Sequence, residues 1–192
     1  MVAAATRLFA ERGFHDVSME EIADQVGITK PMLYAYFGSK EGLHAACIER
    51  ALGPLAPRLE AAVDPALPLE RQLWHGLLAF FSFVAQEREL WAQLYVAAGA
   101  QGGAASEQVA RVRDQLHATL STLLRRAALA AGVRSRLLEE IDSQAAAPSR
   151  AAEALAAEAA HEPFEAEMLA RRLMNFAWRG FEALLDERIW RP

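Results

Sequence analysis

Lys30, Tyr34, Tyr36 and Lys40 bring two ammonium groups and two phenolic hydroxyls into one short stretch, with the Thr29 hydroxyl just before them. Groups of this kind donate hydrogen bonds to phosphate oxygens and to acceptors on base edges. The sequence contains no G-x-G-x-x-G, P-loop, G-x-S-x-G or paired-carboxylate signature, and Glu139, Glu140 and Asp142 read as an exposed helix face. His15, His44, His75, His117 and His161 are scattered, with no pair four residues apart and no H-E-x-x-H, so no metal is expected. The chemistry on offer is binding. No cofactor is implied, and the chain is not expected to be an enzyme.

The elements that must position these groups are written in Ser18 to Leu43, SMEEIADQVGITKPMLYAYFGSKEGL. Ser18 can cap a helix, and Glu21, three residues on, can reach back to the N–H of the cap. Ile22, Ala23 and Val26 then share one face. Gly27 stops that helix, where a positive φ is needed. Thr29 can cap a second helix, with Pro31 tolerated in its first turn. Leu33 and Phe37 point back toward Ile22 and Val26, and small Ala23 lets the helices cross closely. The outer face from Lys30 to Tyr36 is left free to enter a major groove.

These residues, with LFAERGF (Leu8 to Phe14) before them and Tyr34, Phe37, Lys40 and Leu43 at fixed offsets, make Ala5 to Ala46 resemble the DNA-binding domain of TetR-family transcriptional regulators. The resemblance implies that Thr29, Lys30, Pro31 and Met32 lie nearest the bases, and that Ser18, Tyr34, Tyr36 and Lys40 hold phosphates. Glu20 stands where the family can place a basic contact; an acid there would repel phosphate or select cytosine. The family's first helix begins several residues earlier, with basic phosphate contacts, and this chain opens close to or inside that helix.

Composition sets bounds. At 192 residues the chain can bury about 70% of its unfolded surface, so a core needs no metal or disulfide. Hydrophobic residues make up 53%, and long Ala, Leu, Glu and Arg stretches separated by turn residues point to an all-α protein. Cys47 is the single cysteine, which excludes an intrachain disulfide and fits a reducing cytoplasm. No segment reaches the ~18 uninterrupted apolar residues of a membrane span, so no membrane partner is expected. Nothing at Met1 reads as an export signal. The net charge of −5 predicts modest non-specific binding to nucleic acid, and in the first fifty residues seven acids still outnumber five bases. Phosphates can nevertheless be held by helix N-termini and tyrosine hydroxyls.

The expected architecture is an N-terminal three-helix helix-turn-helix domain, residues 1–50, followed by a larger helical-bundle regulatory and dimerisation domain, residues 51–192. Helices are expected at Lys40 to Leu52, capped by Ser39, then at Leu69 to Gln86, Leu90 to Ala100, Ser106 to Ala131 and Arg136 to Ile141. An alanine-rich stretch from Gln144 to Ala160, broken by Pro148, has helix propensity but few large apolar anchors and reads as either a loosely packed helix or a partly disordered loop, and a final helix covers Phe164 to Leu185. Gly53-Pro54 can act as a joint.

By resemblance, the second region binds a small inducer within the bundle and dimerises through its last two helices. Aromatic residues cluster from Trp74 to Tyr95, and for any one of them a place in the core is the plain alternative. If a pocket exists, its wall is expected at Trp74, Phe81, Trp91, Tyr95, Leu116 and Leu120, which suits an apolar or aromatic ligand. Leu173, Phe176, Ala177, Gly180 and Leu184 form an apolar stripe suited to a two-fold mate. The resulting expectation is a cytoplasmic, homodimeric transcriptional regulator of double-stranded DNA with a palindromic operator, a repressor released by a small molecule. Two other classes compete: a helical ligand-binding or interaction adaptor that no longer binds DNA, and an all-α enzyme.

Overall fold

The computed structural model describes residues 1–89, 91, 107, 110–111, 113–114, 117–119, 121–122, 125–126, 129, 132 and 135–185. Among the described residues the regular elements are all helices: α1 Val2–Asp16, α2 Met19–Val26, α3 Lys30–Phe37, α4 Lys40–Leu52, α5 Leu55–Ala62, α6 Leu69–Gln86, α7 Ser135–Ala159 and α8 Ala166–Leu185. The chain divides into two compact units, Met1–Pro54 with Glu87–Arg113, and Leu55–Gln86 with Asp114–Pro192. One division falls directly after Gly53-Pro54. The first unit also takes in residues 87–113, which the sequence reading groups with the second.

In the first unit α1 packs along α4, and α2 lies against both α1 and α3. Its core holds Leu8, Phe9, Val17, Met19, Ile22, Ala23, Leu33, Leu43 and Cys47, with Val26 and Phe37 packed at the margin. Leu33 and Ile22 are wholly buried, as their helical spacing requires. Gly13 takes φ 81° within α1 and interrupts its helical path, a conformation that costs glycine little.

In the second unit α6 packs most extensively on α8 and also meets α5 and α7. Leu73, Leu77, Phe80, Phe81 and Val84 are buried on α6, and Leu169, Ala170, Leu173 and Ala177 on α8. From α7, Ala152 and Ala156 are buried four residues apart, a narrow apolar stripe.

Two expectations change. Pro148 does not break the alanine-rich stretch; Ser135–Ala159 is one helix with the proline inside it. Proline withholds a single helical hydrogen bond, and the strong helix formers around it sustain the remainder. The last helix starts at Ala166, two residues later than expected. The helices expected at 90–100 and 106–131 fall largely outside the described residues, although Gly132 beyond them has φ 78°.

Candidate nucleic-acid interface

Each end of α2 is fixed by a named group. Ser18 Oγ accepts from the Glu21 N–H at 3.1 Å, and Glu21 Oε2 accepts from the Ser18 N–H at 2.8 Å, a complete capping box. Arg12 donates to Glu21 Oε1 at 2.9 Å and to the Asp16 carbonyl at 2.8 Å, tying α2 to α1. The Ser18 N–H and the Arg12 guanidinium hold the Glu21 carboxyl down at about 2. At the far end Gly27 sits at φ 75°, and its N–H bonds the Ala23 and Asp24 carbonyls.

Thr29 occupies the N-cap of α3, yet its hydroxyl makes no cap bond. The cause is local: Pro31 has no N–H to offer, and the Met32 N–H bonds the Thr29 carbonyl at 3.0 Å instead. The Thr29 side chain is left outside. Of the eight residues in α3, Leu33 alone is fully buried and Phe37 partly so; Lys30, Pro31, Met32, Tyr34, Ala35 and Tyr36 are exposed. At 3.6 residues per turn Pro31 and Ala35 form the ridge opposite Leu33, flanked by Met32 and Tyr34. Tyr36 is 65% exposed, far more than a tyrosine kept for packing. Ala35 belongs to this surface and was not singled out from sequence; its place four residues after Pro31 is the signal that finds it.

The charged groups differ in freedom. Lys30 Nζ lies 3.4 Å from Glu20 Oε2, both side chains being largely exposed. Lys40 Nζ donates to the His15 carbonyl at 3.3 Å and sits 4.5 Å from the centroid of the Phe14 ring, so it also binds α4 to the end of α1. Ser18 is exposed, and because its Oγ serves as acceptor in the capping box its hydroxyl proton remains available to a phosphate. Ser39 caps α4 by accepting from the Gly42 N–H at 3.0 Å.

Behind the surface, His44 is buried with Phe9 and Phe14 at ring separations of 5.0 and 4.8 Å, and its Nδ1 has no hydrogen-bond partner. Burial, reinforced by the Lys40 charge, pushes the imidazole below its ordinary value. Cys47 is buried and its Sγ lies 3.6 Å from the Val2 carbonyl; burial pushes the thiol up.

The residues of the expected ligand wall fall in both units. Phe81 is fully buried in the second unit, and Trp91 is buried in the first. Trp74 is half-buried and lines a hollow with Glu70, Arg71, Glu167, Arg171, Met174 and Asn175, a far more polar setting than expected. Tyr95, Leu116 and Leu120 lie outside the described residues. The expected dimer stripe also divides. Leu173 and Ala177 are buried within the chain itself, because they face the interior of the second unit, whereas Phe176 is 68% exposed and Gly180 is open. The side chain of Leu184 lies outside the described residues. Among the described residues no group of three or more His, Cys, Asp or Glu side chains could hold a metal, and no helix is long and apolar enough to cross a membrane.

Residues 1–47 match the family model for bacterial regulatory proteins of the tetR family. The fold is similar to the crystal structure of a TetR-like transcriptional regulator from Rhodococcus sp. RHA1, with 32% identity, a TM-score of 0.69 and coverage of 94% of this chain and 93% of that one. The chain is also similar to the HTH-type transcriptional activator FasR of Mycolicibacterium smegmatis, 33% identical over 89 residues that are 46% of this chain and 41% of FasR. The HTH-type transcriptional repressor BdcR of Escherichia coli is 44% identical over 52 residues, 27% of this chain and 26% of BdcR. The chain therefore spans less than half the length of these curated relatives.

Proposed function

Because the chain belongs to the TetR family of bacterial regulatory proteins, we infer that it is a sequence-specific, DNA-binding transcriptional regulator that binds a palindromic operator as a homodimer. The observation that carries this reading is α3, a short capped helix that keeps Leu33 for the core and turns six residues outward. Thr29, Lys30, Pro31 and Met32 meet the base edges: Lys30 donates to guanine O6 or N7, and Pro31 and Met32 touch thymine methyls. Ser18, Tyr34, Tyr36 and Lys40 hold phosphates and set the register.

Two-fold symmetry places the recognition helices about 34–36 Å apart, or slightly more. Phe176 and Gly180 on the open side of α8 form the centre of the contact between copies. A Cβ at Gly180 would meet nothing within 4 Å in the isolated chain, so a side chain can leave the helix there and Gly180→Trp is aimed at a mate. This variant should sediment as a monomer and lose operator binding; a full-strength dimer removes Gly180 from the interface.

The regulator acts in the cytoplasm as a repressor released by a small apolar or aromatic inducer. The run of aromatic residues in the sequence of α6 motivates this choice of ligand, although Phe80, Phe81 and Phe83 are buried in the core. Ligand and operator must weaken each other by the same factor, and a coupling of about 1–3 kcal/mol gives a 5–150-fold effect. The test is a mobility-shift titration on duplexes from the DNA flanking its own gene. Lys30→Ala should cost about 1–3 kcal/mol and relax one base position, whereas Lys40→Ala should weaken all sequences alike. No specific shift with any flanking duplex overturns the reading. Quenching of Trp74 and Trp91 by candidate compounds, alongside operator release, tests the inducer.

A further inference from the structure

Glu20 and Glu21 are adjacent acids in the first turn of α2 with different duties. Glu21 is committed to the Ser18 N–H and to Arg12. Glu20 turns away to the outer side, where the ammonium of Lys30 meets it. Its side chain is 70% exposed and that of Lys30 49%. An exposed pair of this kind contributes little to stability, so holding the fold is a poor account of it. It stands instead at the mouth of the reading surface, one member from each helix of the motif.

A carboxylate carried into a major groove is repelled by phosphates on both sides. It is tolerated there when it accepts from an exocyclic amine, and the groove offers two, cytosine N4 and adenine N6. Lys30 needs the converse, and guanine presents two acceptors, O6 and N7. Within a G·C pair, guanine O6 and cytosine N4 are hydrogen-bonded to each other and therefore about 2.9 Å apart on the groove floor. The Lys30 Nζ and Glu20 Oε2 are 3.4 Å apart. Donor faces acceptor and acceptor faces donor, at separations that differ by about 0.5 Å, which two exposed side chains can take up. Lys30 has further N–H donors for N7, so the ion pair need not break when it docks.

We propose that Glu20 is a specificity-determining residue that reads, as a unit with Lys30, one G·C pair in each half-site: Glu20 accepts from cytosine N4 while Lys30 donates to guanine O6 and N7. The inference rests on the DNA-binding reading above. It goes further by assigning the opposite strand's base to an acidic residue of the supporting helix.

The experiment selects bound duplexes from a randomised library with the full chain, followed by sequencing and by thermal unfolding of each variant. The unsubstituted protein should enrich a palindrome with one strongly preferred G·C pair per half-site. Glu20→Gln keeps the shape, removes the charge and exchanges one acceptor oxygen for an NH2 donor, a combination that pairs well with adenine N6 and N7. Its preference at that pair should fall from about 5–150-fold to near unity or move to A·T, with the other positions kept and the unfolding midpoint unchanged. Lys30→Ala should relax the same pair. Relaxation at two different positions, or a base profile that Glu20→Gln leaves untouched, overturns the proposal while the DNA-binding reading stands. A lowered midpoint with an unchanged base profile assigns Glu20 to the end of α2 and also overturns it. If the unsubstituted protein enriches no sequence, the DNA-binding reading falls and this inference with it.

Discussion

The helix-turn-helix of the first unit and the long helices of the second hold their shape by different means. α2 and α3 have eight residues each, too few to offset the cost of helix nucleation by length. Their ends are set by Ser18, Glu21, Gly27 and the Thr29 carbonyl, and their meeting point by Ile22, Ala23 and Leu33. α7 runs for 25 residues across an internal proline, and α8 for 20. Length, alanine content and packing carry these helices, and a local fault is absorbed. Precision in the helix-turn-helix thus depends on a few irreplaceable groups, whereas the second unit depends on many small and interchangeable ones.

Leu33→Ala tests this contrast most severely. It empties a wholly buried site and should cost about 2–5 kcal/mol in urea denaturation, whereas Met32→Ala next to it should stay within about 0.5 kcal/mol. Pro148→Ala restores a helical hydrogen bond and should stabilise the second unit by roughly 1–3 kcal/mol; a loss of stability would mean that α7 depends on a specific side chain after all.

One substitution should have opposite signs in the two units. Gly27→Ala places a side chain at φ 75° and should cost about 1–2 kcal/mol. Gly76→Ala, inside α6 with only Val63 Cγ2 at 3.7 Å from the new methyl, should gain about 0.5–1 kcal/mol. Equal signs in calorimetry would erase the distinction.

Protonation probes the first unit more gently. The folded state lowers the pKa of His44, so below about 6.5 the unfolded chain binds more protons and stability falls with pH. His44→Leu should flatten that slope and add about 1 kcal/mol at neutral pH by removing an unpartnered buried nitrogen. The smallest effect concerns Glu21, whose stabilisation is complete above 4.5 and lost as pH falls toward about 2. Glu21→Gln should erase this acid limb in a pH series of unfolding midpoints.

The same contrast explains what was legible in the sequence. The ends of α2 and α3, and the outward face of α3, follow from caps, glycine and periodicity, all of which act within a few residues. α6 was bounded correctly because Leu69 to Gln86 carries a continuous apolar face. Pro148 misled because a single breaker was given more weight than the strong helix formers on both sides of it. Lys40 reaches His15 across 25 residues, and Lys30 reaches Glu20 across ten, so neither partnership could be read before the turns were placed. On α8 an apolar stripe announces burial without saying against what. Leu173 and Ala177 are covered by their own chain, and Phe176 is not.

The single inward residue of α3 has a consequence for how this protein can change over generations. Six of the eight positions in that helix are exposed, so replacements there that keep the helix leave stability within about 0.5 kcal/mol. On the proposed reading, mutations at these positions that alter base preference therefore escape the selection that removes unstable chains. A duplicated gene could acquire a new operator by drifting at Lys30, Met32, Tyr34, Ala35 and Tyr36 while Leu33, Ile22 and the capping box stay unaltered. The address can be rewritten without rebuilding the reader.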